Sequence, residues 1–366
     1  MKKKTIVYFS PDFFFDVDMP VLPYINEKYN LIWVNYFTKN ARFTGSQITE
    51  FCQREKIKNK QFVTKHRRRS LAQFSLCLRI IRFIRKVNPD IIYMEYLQDP
   101  YIFMLTKFFL PRDKIIAAIH DVKSHSNFSN KVQDLLDKWI LGNFVHYQFF
   151  SNYQTHLFLS KYKGNTFTIP LAPKDCGRAT NGRPQIEEKC KFLFFGGILS
   201  YKQLDVLIKA CERLYDKGIK NFSLTIAGKG NYWEYCKTFI SHPDIFNCEI
   251  RFIPNDEIPD LMNSHHFLVL PYKDATQSGP LMNAYQYNLP VMVTNIPGLT
   301  EFVIDGKIGI IAQQNDEIGL EKALVRCIKM TNKQYDSLVD NLKCYISKHL
   351  SLQIIQDKYC QMFDSL

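Results

Sequence analysis

The chain has 366 residues, of which 46% are hydrophobic and 23% charged, and its formal net charge at pH 7 is +13. This length fits two domains better than one core, and this composition excludes a generally disordered chain. The ten cysteines form no C-x-x-C pair and accompany no histidine cluster. That pattern excludes the usual zinc and disulfide arrangements and favours reduced thiols in the cytoplasm.

The N-terminal apolar run, residues 5–9, is too short for a signal peptide and is interpreted as a first strand. Further strands are predicted at 29–37, 88–96, 114–120, 146–151 and 167–172, and helices at 19–28, 71–87 and 131–141. This alternation predicts a parallel sheet with helices on both faces. No stretch approaches the length of a membrane span.

A polar stretch with Gly and Pro, residues 173–190, is interpreted as a linker. After it the alternation restarts. Strands are predicted at 191–198, 222–230, 249–254, 266–272 and 290–293, and helices at 204–218 and 281–287. Residues 335–366 are expected to be helical, with a kink near His349.

Glycine turns in this second half suit a phosphate. Gly196 and Gly197 end the first of its strands, and Lys202 follows at the next helix entry. Ser278 and Gly279 stand where another helix begins. Backbone N–H groups at a helix start, beside one ammonium group, could neutralise a diphosphate.

Five segments strengthen this interpretation: FFGGILSYKQLDVLIKA, IAGKG, PDLMNSHHFLVLPY, TQSGPLMNAYQYNLPVMVT and PGLTEFVIDGKIG. In this order, over residues 192–309, they resemble the donor half of retaining glycosyltransferases of family 4 (glycosyltransferase group 1). The resemblance implies an α/β chain of GT-B type, with two Rossmann-like domains whose parallel sheets face each other across a cleft. It implies an acceptor-binding domain over 1–172, a linker over 173–190, a nucleotide-sugar domain over 191–345 and a C-terminal helix, 346–366, packing back on the first domain.

The resemblance also implies donor-site roles. Lys202 would contact the diphosphate beside Gly196 and Gly197, and Gln277, Ser278 and Gly279 would hold phosphate oxygens or the leaving group. Gly228 and the strand ending at Ile253 would lie near the nucleobase. Asn283 stands where the family has a glutamate on the ribose hydroxyls, and its amide can still bind a diol without charge. Two further departures are Ala275, in place of the other glutamate, and Ile198, in place of an arginine.

His120 ends a predicted strand of the first half, where the family often places a histidine near the reacting sugar. A core histidine is the alternative. Asp121 either orients His120 or caps the following turn. His120, Asp121 and Lys202 are the expected catalytic residues.

The triplet Asp16 to Asp18 resembles a metal-binding D-x-D pair. Asp18 precedes Met19-Pro20, however, and is predicted to be a helix N-cap. Nothing else supplies oxygen ligands, so neither a metal nor a cofactor is expected.

The basic patch has three open interpretations. Its candidate residues are Arg67, Arg68, Arg69, Arg79, Arg82 and Arg85. An anionic membrane surface or the phosphate of a lipid-linked acceptor is favoured. A solvated face comes next, and nucleic acid is not expected because no recognition motif accompanies the charge.

The expected function is therefore transfer of a sugar, with retention and without a metal, from a donor such as a UDP- or GDP-sugar. The expected acceptor is a saccharide or lipid-linked saccharide in surface polysaccharide biosynthesis, at the cytoplasmic side of a membrane. A sugar-nucleotide epimerase of the same fold and a catalytically silent partner subunit remain alternatives.

Overall fold

The computed structural model describes residues 3–39, 41–65, 67, 70–122, 131–313 and 315–366. They divide into two compact units, each treated separately below. The first unit contains the described residues up to Ala172 together with Leu352–Leu366. The second unit contains Pro173–Ser351.

The described part of the first unit forms one parallel sheet, in the order β3-β2-β1-β4-β5-β6-β7. Its strands are β1 (Thr5–Pro11), β2 (Asn30–Phe37), β3 (Lys58–Val63), β4 (Ile91–Met94), β5 (Ile115–Ile119), β6 (His146–Phe149) and β7 (Asn165–Thr168). Its helices are α1 (Phe15–Asp18), α2 (Leu22–Lys28), α3 (Gly45–Arg54), α4 (Leu71–Val87), α5 (Pro100–Phe109), α6 (Lys131–Leu141) and α7 (Asn152–Leu159).

The second unit repeats this plan, with a parallel sheet in the order β10-β9-β8-β11-β12-β13. Its strands are β8 (Cys190–Phe195), β9 (Phe222–Ala227), β10 (Phe246–Glu249), β11 (Phe267–Leu270), β12 (Val291–Thr294) and β13 (Gly309–Ala312). Its helices are α8 (Leu204–Asp216), α9 (Trp233–Cys236), α10 (Ile258–Asn263), α11 (Gly279–Gln286), α12 (Pro297–Thr300), α13 (Glu317–Ile328) and α14 (Asn332–His349).

The central strands are apolar along their whole length. All residues of β4 (IIYM) and β5 (IIAAI) are buried, because a parallel sheet covered on both faces leaves no polar side. One core cluster joins this sheet to α4, α5, α6 and α7. The order of strands reverses between β1 and β4 in the first unit and between β8 and β11 in the second. In such sheets ligands bind at the carboxyl ends of the strands beside the reversal.

The last helix, α15 (Leu352–Asp364), belongs to the first unit. The Tyr29 hydroxyl donates to the Asp364 carboxylate at 2.7 Å, and the Phe363 ring is fully buried against Tyr29 and Tyr93. A break after His349 separates α15 from α14. The chain thus leaves the first unit at residue 172 and returns to it at residue 352.

Several elements differ from the sequence prediction. Residues 45–63, for which no element was predicted, form α3 and the edge strand β3. The exposed lysines of β3 give this strand the sequence pattern of a basic loop. The prediction of a strand ending at Ile253 is wrong, since β10 ends at Glu249. There the Arg251 N–H donates to the Glu249 carbonyl at 2.9 Å, which turns the chain out of the sheet. Ile253 is a buried loop residue.

Within the described residues, the helices are all too short or too polar to cross a membrane.

Candidate functional site

Glycine lets two turns of the second unit approach each other at the carboxyl ends of β8 and β9. Gly228 follows β9 with φ at +148°, and a Cβ there would lie 1.9 Å from the Gly196 carbonyl oxygen. Gly196 follows β8 with φ at +113°. Only glycine fits such backbone at such distances. The predicted Gly197 lies next to this turn, where a Cβ would meet only Leu199.

Lys202 is the buried cation of this region. It lies in a short 3-10 turn before α8, is only 8% exposed, and its Nζ lies 5.1 Å from the Tyr272 ring centroid. Among the residues described, no carboxylate lies within ion-pair distance of this Nζ. Burial lowers the pKa of Lys202, because the loss of water around the ammonium outweighs the opposing effect of Tyr201. A site that keeps a buried positive charge without a counter-charge suits an anionic ligand.

The N-terminus of α11 lies beside this ammonium. Ser278 caps the helix, since its Oγ accepts from the Leu281 N–H at 3.3 Å. A Cβ built on Gly196 would lie 3.6 Å from both Lys202 Nζ and Pro280 Cγ, so the three residues converge. At Gly279, which opens the helix, a Cβ would meet no atom within 4 Å. The first N–H groups of a helix have no acceptor within it, and its dipole favours an anion. Backbone N–H groups and one cation thus meet at this point.

The structure also shows where the residues that depart from the expected donor site lie. Asn283 is half-buried on α11, one turn after the helix start, and Gln277 precedes the cap residue and is also half-buried. Ala275 is buried, and its carbonyl would lie 2.1 Å from a Cβ on Gly298. Ile198 is fully buried, so its side chain contributes to the core instead of contacting a ligand.

His120 follows β5 in the first unit and is 6% exposed. Its ring stacks between Phe14, with centroids 3.6 Å apart, and Phe150, at 4.1 Å. Burial lowers the pKa of His120 to about 3, so its imidazole is neutral at physiological pH. Asp121 follows it at the end of the same strand and is half-buried.

A residue that sequence reasoning missed, Glu95, contacts this histidine. Glu95 follows β4 and its Oε1 lies 3.0 Å from His120 Nε2. It stands beside Asp18, whose Oδ1 accepts a hydrogen bond from the Tyr8 hydroxyl at 2.8 Å. The prediction of Asp18 as an N-cap is wrong. Val21 caps α2 without a side-chain bond, because Asp18 faces inward and is 1% exposed. Nothing in the sequence linked residues 18, 95 and 120; only the sheet order brings them together.

The basic patch lies on the outer face of α4. Arg79, Arg82 and Arg85 are exposed there, and none of them takes part in an ion pair among the residues that the structure describes. Arg67 is exposed before the helix, whereas Arg68 and Arg69 lie outside the described residues.

Large apolar side chains accompany these arginines. On the neighbouring helix α5, Met104, Phe108 and Phe109 are exposed, Phe108 by 66%. An open groove of about 420 Å³ has both Arg85 and these two phenylalanines in its lining. Trp139 on α6 is 53% exposed. Soluble surfaces rarely combine several exposed aromatic rings in this way.

No group of three or more His, Cys, Asp or Glu side chains with metal-binding geometry is found within the described ranges.

Comparison with known proteins agrees with this architecture. Residues 189–330 match the family model described as Glycosyl transferases group 1. An uncharacterized glycosyltransferase of Methanocaldococcus jannaschii is 26% identical over 137 residues, which cover 37% of either chain. The amylovoran biosynthesis glycosyltransferase AmsK of Erwinia amylovora is 27% identical over 152 residues, or 39% of this chain. The matched segments span 37% of the length of each of these two relatives.

Solved structures extend the likeness to the whole chain. The Anabaena protein HepE in complex with UDP-glucose superposes with a TM-score of 0.76 at 13% identity, covering 99% of this chain and 100% of that one. WaaG, a glycosyltransferase involved in lipopolysaccharide biosynthesis, superposes with a TM-score of 0.67 at 11% identity, covering 98% of each chain. The fold is thus of GT-B type, with two Rossmann-like domains, and the match to the group 1 family model lies within the second.

Proposed function

We propose that this protein is a retaining glycosyltransferase that moves a sugar from a nucleotide diphosphate sugar to a saccharide or lipid-linked saccharide, in polysaccharide biosynthesis. The observation that carries the proposal is the buried ammonium of Lys202 at the start of α11, which forms no ion pair with any residue that the structure describes. A diphosphate supplies the missing counter-charge. It also gains charge as the sugar leaves, so the same groups stabilise the transition state more than the ground state.

The comparisons support the donor class. HepE was solved with UDP-glucose, and the matched family segment contains every residue assigned to the diphosphate. Asn283 is proposed to bind the ribose hydroxyls, and Gly228 to allow the base to approach the sheet. His120 and Asp121 are proposed to face the sugar. Because Lys202 and backbone N–H groups already meet the diphosphate charge, no metal is required for the leaving group.

The proposal is tested by thermal-shift screening against UDP, GDP and their sugars, followed by assays of nucleotide release with and without saccharide acceptors. Binding with acceptor-dependent release supports the transferase. Rearrangement of the donor sugar without an acceptor supports an epimerase instead, and failure to bind any nucleotide supports a catalytically silent subunit.

The outer face of α4 and α5 is proposed to rest on an anionic bilayer. Arginines that form no ion pair within the described part of the chain, beside the exposed aromatic rings of α5, match a lipid surface. Lipid headgroups would contact the charges and the acyl boundary would contact the rings. Each basic residue near such a surface contributes about 1 kcal/mol. Attachment would bring the first unit to a lipid-linked acceptor.

Sedimentation with vesicles of phosphatidylglycerol and phosphatidylcholine tests this surface. Replacing Arg79, Arg82 and Arg85 together by Gln should weaken binding by about 100-fold, from the three lost charges. The control is Arg178→Gln, an exposed arginine of the second unit. Equal binding of the triple variant and the control, or binding indifferent to salt, would refute the electrostatic account.

A further inference from the structure

Tyr272 of the second unit has a buried hydroxyl that no described residue satisfies. The residue is 2% exposed, and its Oη has no hydrogen-bond partner among the residues that the structure describes. A buried phenol normally finds such a partner, because an unsatisfied polar group in a low dielectric costs free energy. The hydroxyl of Tyr272 therefore needs a partner from outside this part of the chain.

The position of Tyr272 in the sheet indicates where this partner binds. Tyr272 comes two residues after β11, and β11 lies beside β8 at the point where the strand order reverses. Hydrogen bonds hold its backbone there: the Lys273 N–H donates to the Tyr201 carbonyl at 2.8 Å, and the Thr294 hydroxyl donates to the Tyr272 carbonyl at 2.5 Å. Tyr272 is thus fixed at the carboxyl ends of the strands, where a sheet of this kind binds its ligands.

The ring of Tyr272 faces the buried cation of this region. Its centroid lies 5.1 Å from Lys202 Nζ. Lys202 Nζ and Pro280 Cγ each lie 3.6 Å from a Cβ built on Gly196, so the first turn of α11 lies beside the same ammonium. An anion that binds both the ammonium and the N–H groups of this helix start comes within reach of the phenol.

We propose that the Tyr272 hydroxyl is a further ligand-binding group of this site and donates a hydrogen bond to a phosphate oxygen of the nucleoside diphosphate. The identity of this ligand rests on the proposed function. A phosphate oxygen is charged, so the bond from the phenol is charge-assisted and about twice as strong as a neutral one. The ligand thereby satisfies a hydroxyl that has no partner among the described residues.

The protonation state of the phenol suits this role. Burial raises the pKa of Tyr272 above its ordinary value of about 10, so the hydroxyl keeps its proton at neutral pH. The Ser278 side chain lowers this pKa by a smaller amount, although the Tyr272 Oη has no hydrogen bond within the described part of the chain. A phenolate would repel a diphosphate, whereas the neutral phenol donates to it. Lys202 thus supplies charge to the site, and Tyr272 supplies a directed hydrogen bond.

Tyr272→Phe isolates the hydroxyl, because it keeps the ring over Lys202. Without ligand, the variant should unfold at the temperature of the wild type or higher, since it removes an unsatisfied buried polar group. Its affinity for UDP or GDP should fall by about 10- to 100-fold, which is the usual range for a hydrogen bond to a charged group. Affinity for inorganic pyrophosphate should fall by the same factor, because the contact is with phosphate and not with the nucleoside.

Tyr335→Phe is the matched control in the same unit. Tyr335 is also buried, but its hydroxyl donates to the His266 carbonyl at 2.9 Å. Removal of a hydroxyl that has a partner breaks a hydrogen bond within the protein, so this variant should unfold at a lower temperature than the wild type. Its affinity for UDP and pyrophosphate should not change. The two variants therefore combine stability and affinity in opposite ways, which a general loss of folding cannot reproduce.

Calorimetric titration of the full chain with UDP, GDP and pyrophosphate, together with thermal unfolding without ligand, measures these changes. Equal affinities of wild type and Tyr272→Phe, or destabilisation of Tyr272→Phe as large as that of Tyr335→Phe, would overturn the contact and leave the proposed function standing. Weaker binding by Tyr272→Phe, with no sugar transfer by the wild type, would refute the transferase and support the contact with phosphate. A wild type that binds none of the three ligands would refute both.

Discussion

The Nζ of Lys202 lies 5.1 Å from the centre of the Tyr272 ring, and among the described residues no carboxylate forms an ion pair with it. A ring face stabilises a desolvated cation by about 2 kcal/mol, whereas burying an ammonium costs several kcal/mol. The unliganded protein therefore holds this charge at a cost in stability.

Lys202→Met should reveal that cost. We expect the unliganded variant to unfold at the same temperature as the wild type or higher, because a buried charge is replaced by an apolar chain. Its thermal shift with UDP or GDP should fall to near zero, and turnover should drop more than tenfold. Lys220→Met is the matched control, since Lys220 also stacks on a tyrosine, Tyr215, but is exposed. A variant that binds nucleotide normally would exclude Lys202 from the diphosphate site.

The lowered pKa of Lys202 also predicts a pH effect on the ligand. The ammonium loses its proton at a lower pH than an exposed lysine does, so affinity for a nucleoside diphosphate should decline as pH rises through the alkaline range. Lys202→Arg should remove that decline, because a guanidinium keeps its charge. Calorimetric titrations from pH 7 to 10 measure the nucleoside diphosphate affinity of the wild type and of Lys202→Arg. The same decline of affinity in the two proteins would contradict a contact between Lys202 and the diphosphate.

Substitution of Asn283 should weaken binding of the ribose and leave binding of the phosphates unchanged. Asn283→Ala removes one or two neutral hydrogen bonds, which corresponds to a loss of about five- to tenfold in affinity for UDP or GDP. Affinity for inorganic pyrophosphate should not change, whereas Lys202→Met should weaken both ligands. Gln286→Ala, at an exposed position of the same helix α11, is the control. Equal losses for nucleotide and pyrophosphate would place Asn283 elsewhere.

Gly228 should not tolerate a side chain. Gly228→Ala places a Cβ 1.9 Å from the Gly196 carbonyl at a positive φ, and so should lower the free energy of unfolding by more than about 1 kcal/mol. Gly182→Ala, where a Cβ meets no atom within 4 Å, should be neutral. Chemical denaturation of both variants tests the close approach of the two turns.

The first unit should lose stability as pH rises above about 6.5, where His120 no longer opposes the buried carboxyls. Asp18 and Glu95 bind more protons in the folded than in the unfolded chain, because burial raises the pKa of Asp18 to about 6 and that of Glu95 well above its usual value. This contribution is lost as pH rises through those values. His120 acts oppositely. Its folded pKa is about 3 against an unfolded value of about 6.5, so its contribution is lost as pH falls below about 6.5.

Thermal unfolding from pH 4 to 9 measures this dependence. Glu95→Gln should flatten the alkaline side, where one proton accounts for at most about 1.4 kcal/mol per pH unit. Equal losses of stability in the variant and the wild type above pH 7 would contradict a raised pKa of Glu95.

The sequence predicted α4 with its observed bounds because its signals are local. Ser70 caps the helix through the Gln73 N–H, and Asn88 ends it in the left-handed conformation. The donor-site glycines were predictable for the same reason, since Gly196 and Gly228 stand at strand ends within recognisable segments. Edge strand β3 was missed, because its lysines carry the same charge pattern as a solvated loop.

The burial of Asp18 and Glu95 could not be predicted in this way. Asp18 and Glu95 lie 77 positions apart, and they meet because β1 and β4 are neighbours at the reversal of the sheet. A carboxylate after a strand is commonly exposed, so neither residue alone indicates burial. Ile253 is an error of the opposite kind, because a strand was predicted there and the structure has none. Its apolar neighbours resemble a strand, but the turn at Arg251 depends on backbone hydrogen bonding that side-chain periodicity does not report.

The return of α15 to the first unit has a consequence for biosynthesis. On a ribosome, the sheet of the first unit is complete long before residues 352–366 are made, and the whole second unit emerges in between. Until then, the surface of α2 that receives Phe363 is exposed to water. The nascent first unit should therefore be open to chaperones and proteases during translation of residues 173–351, and it should close only when the last helix arrives.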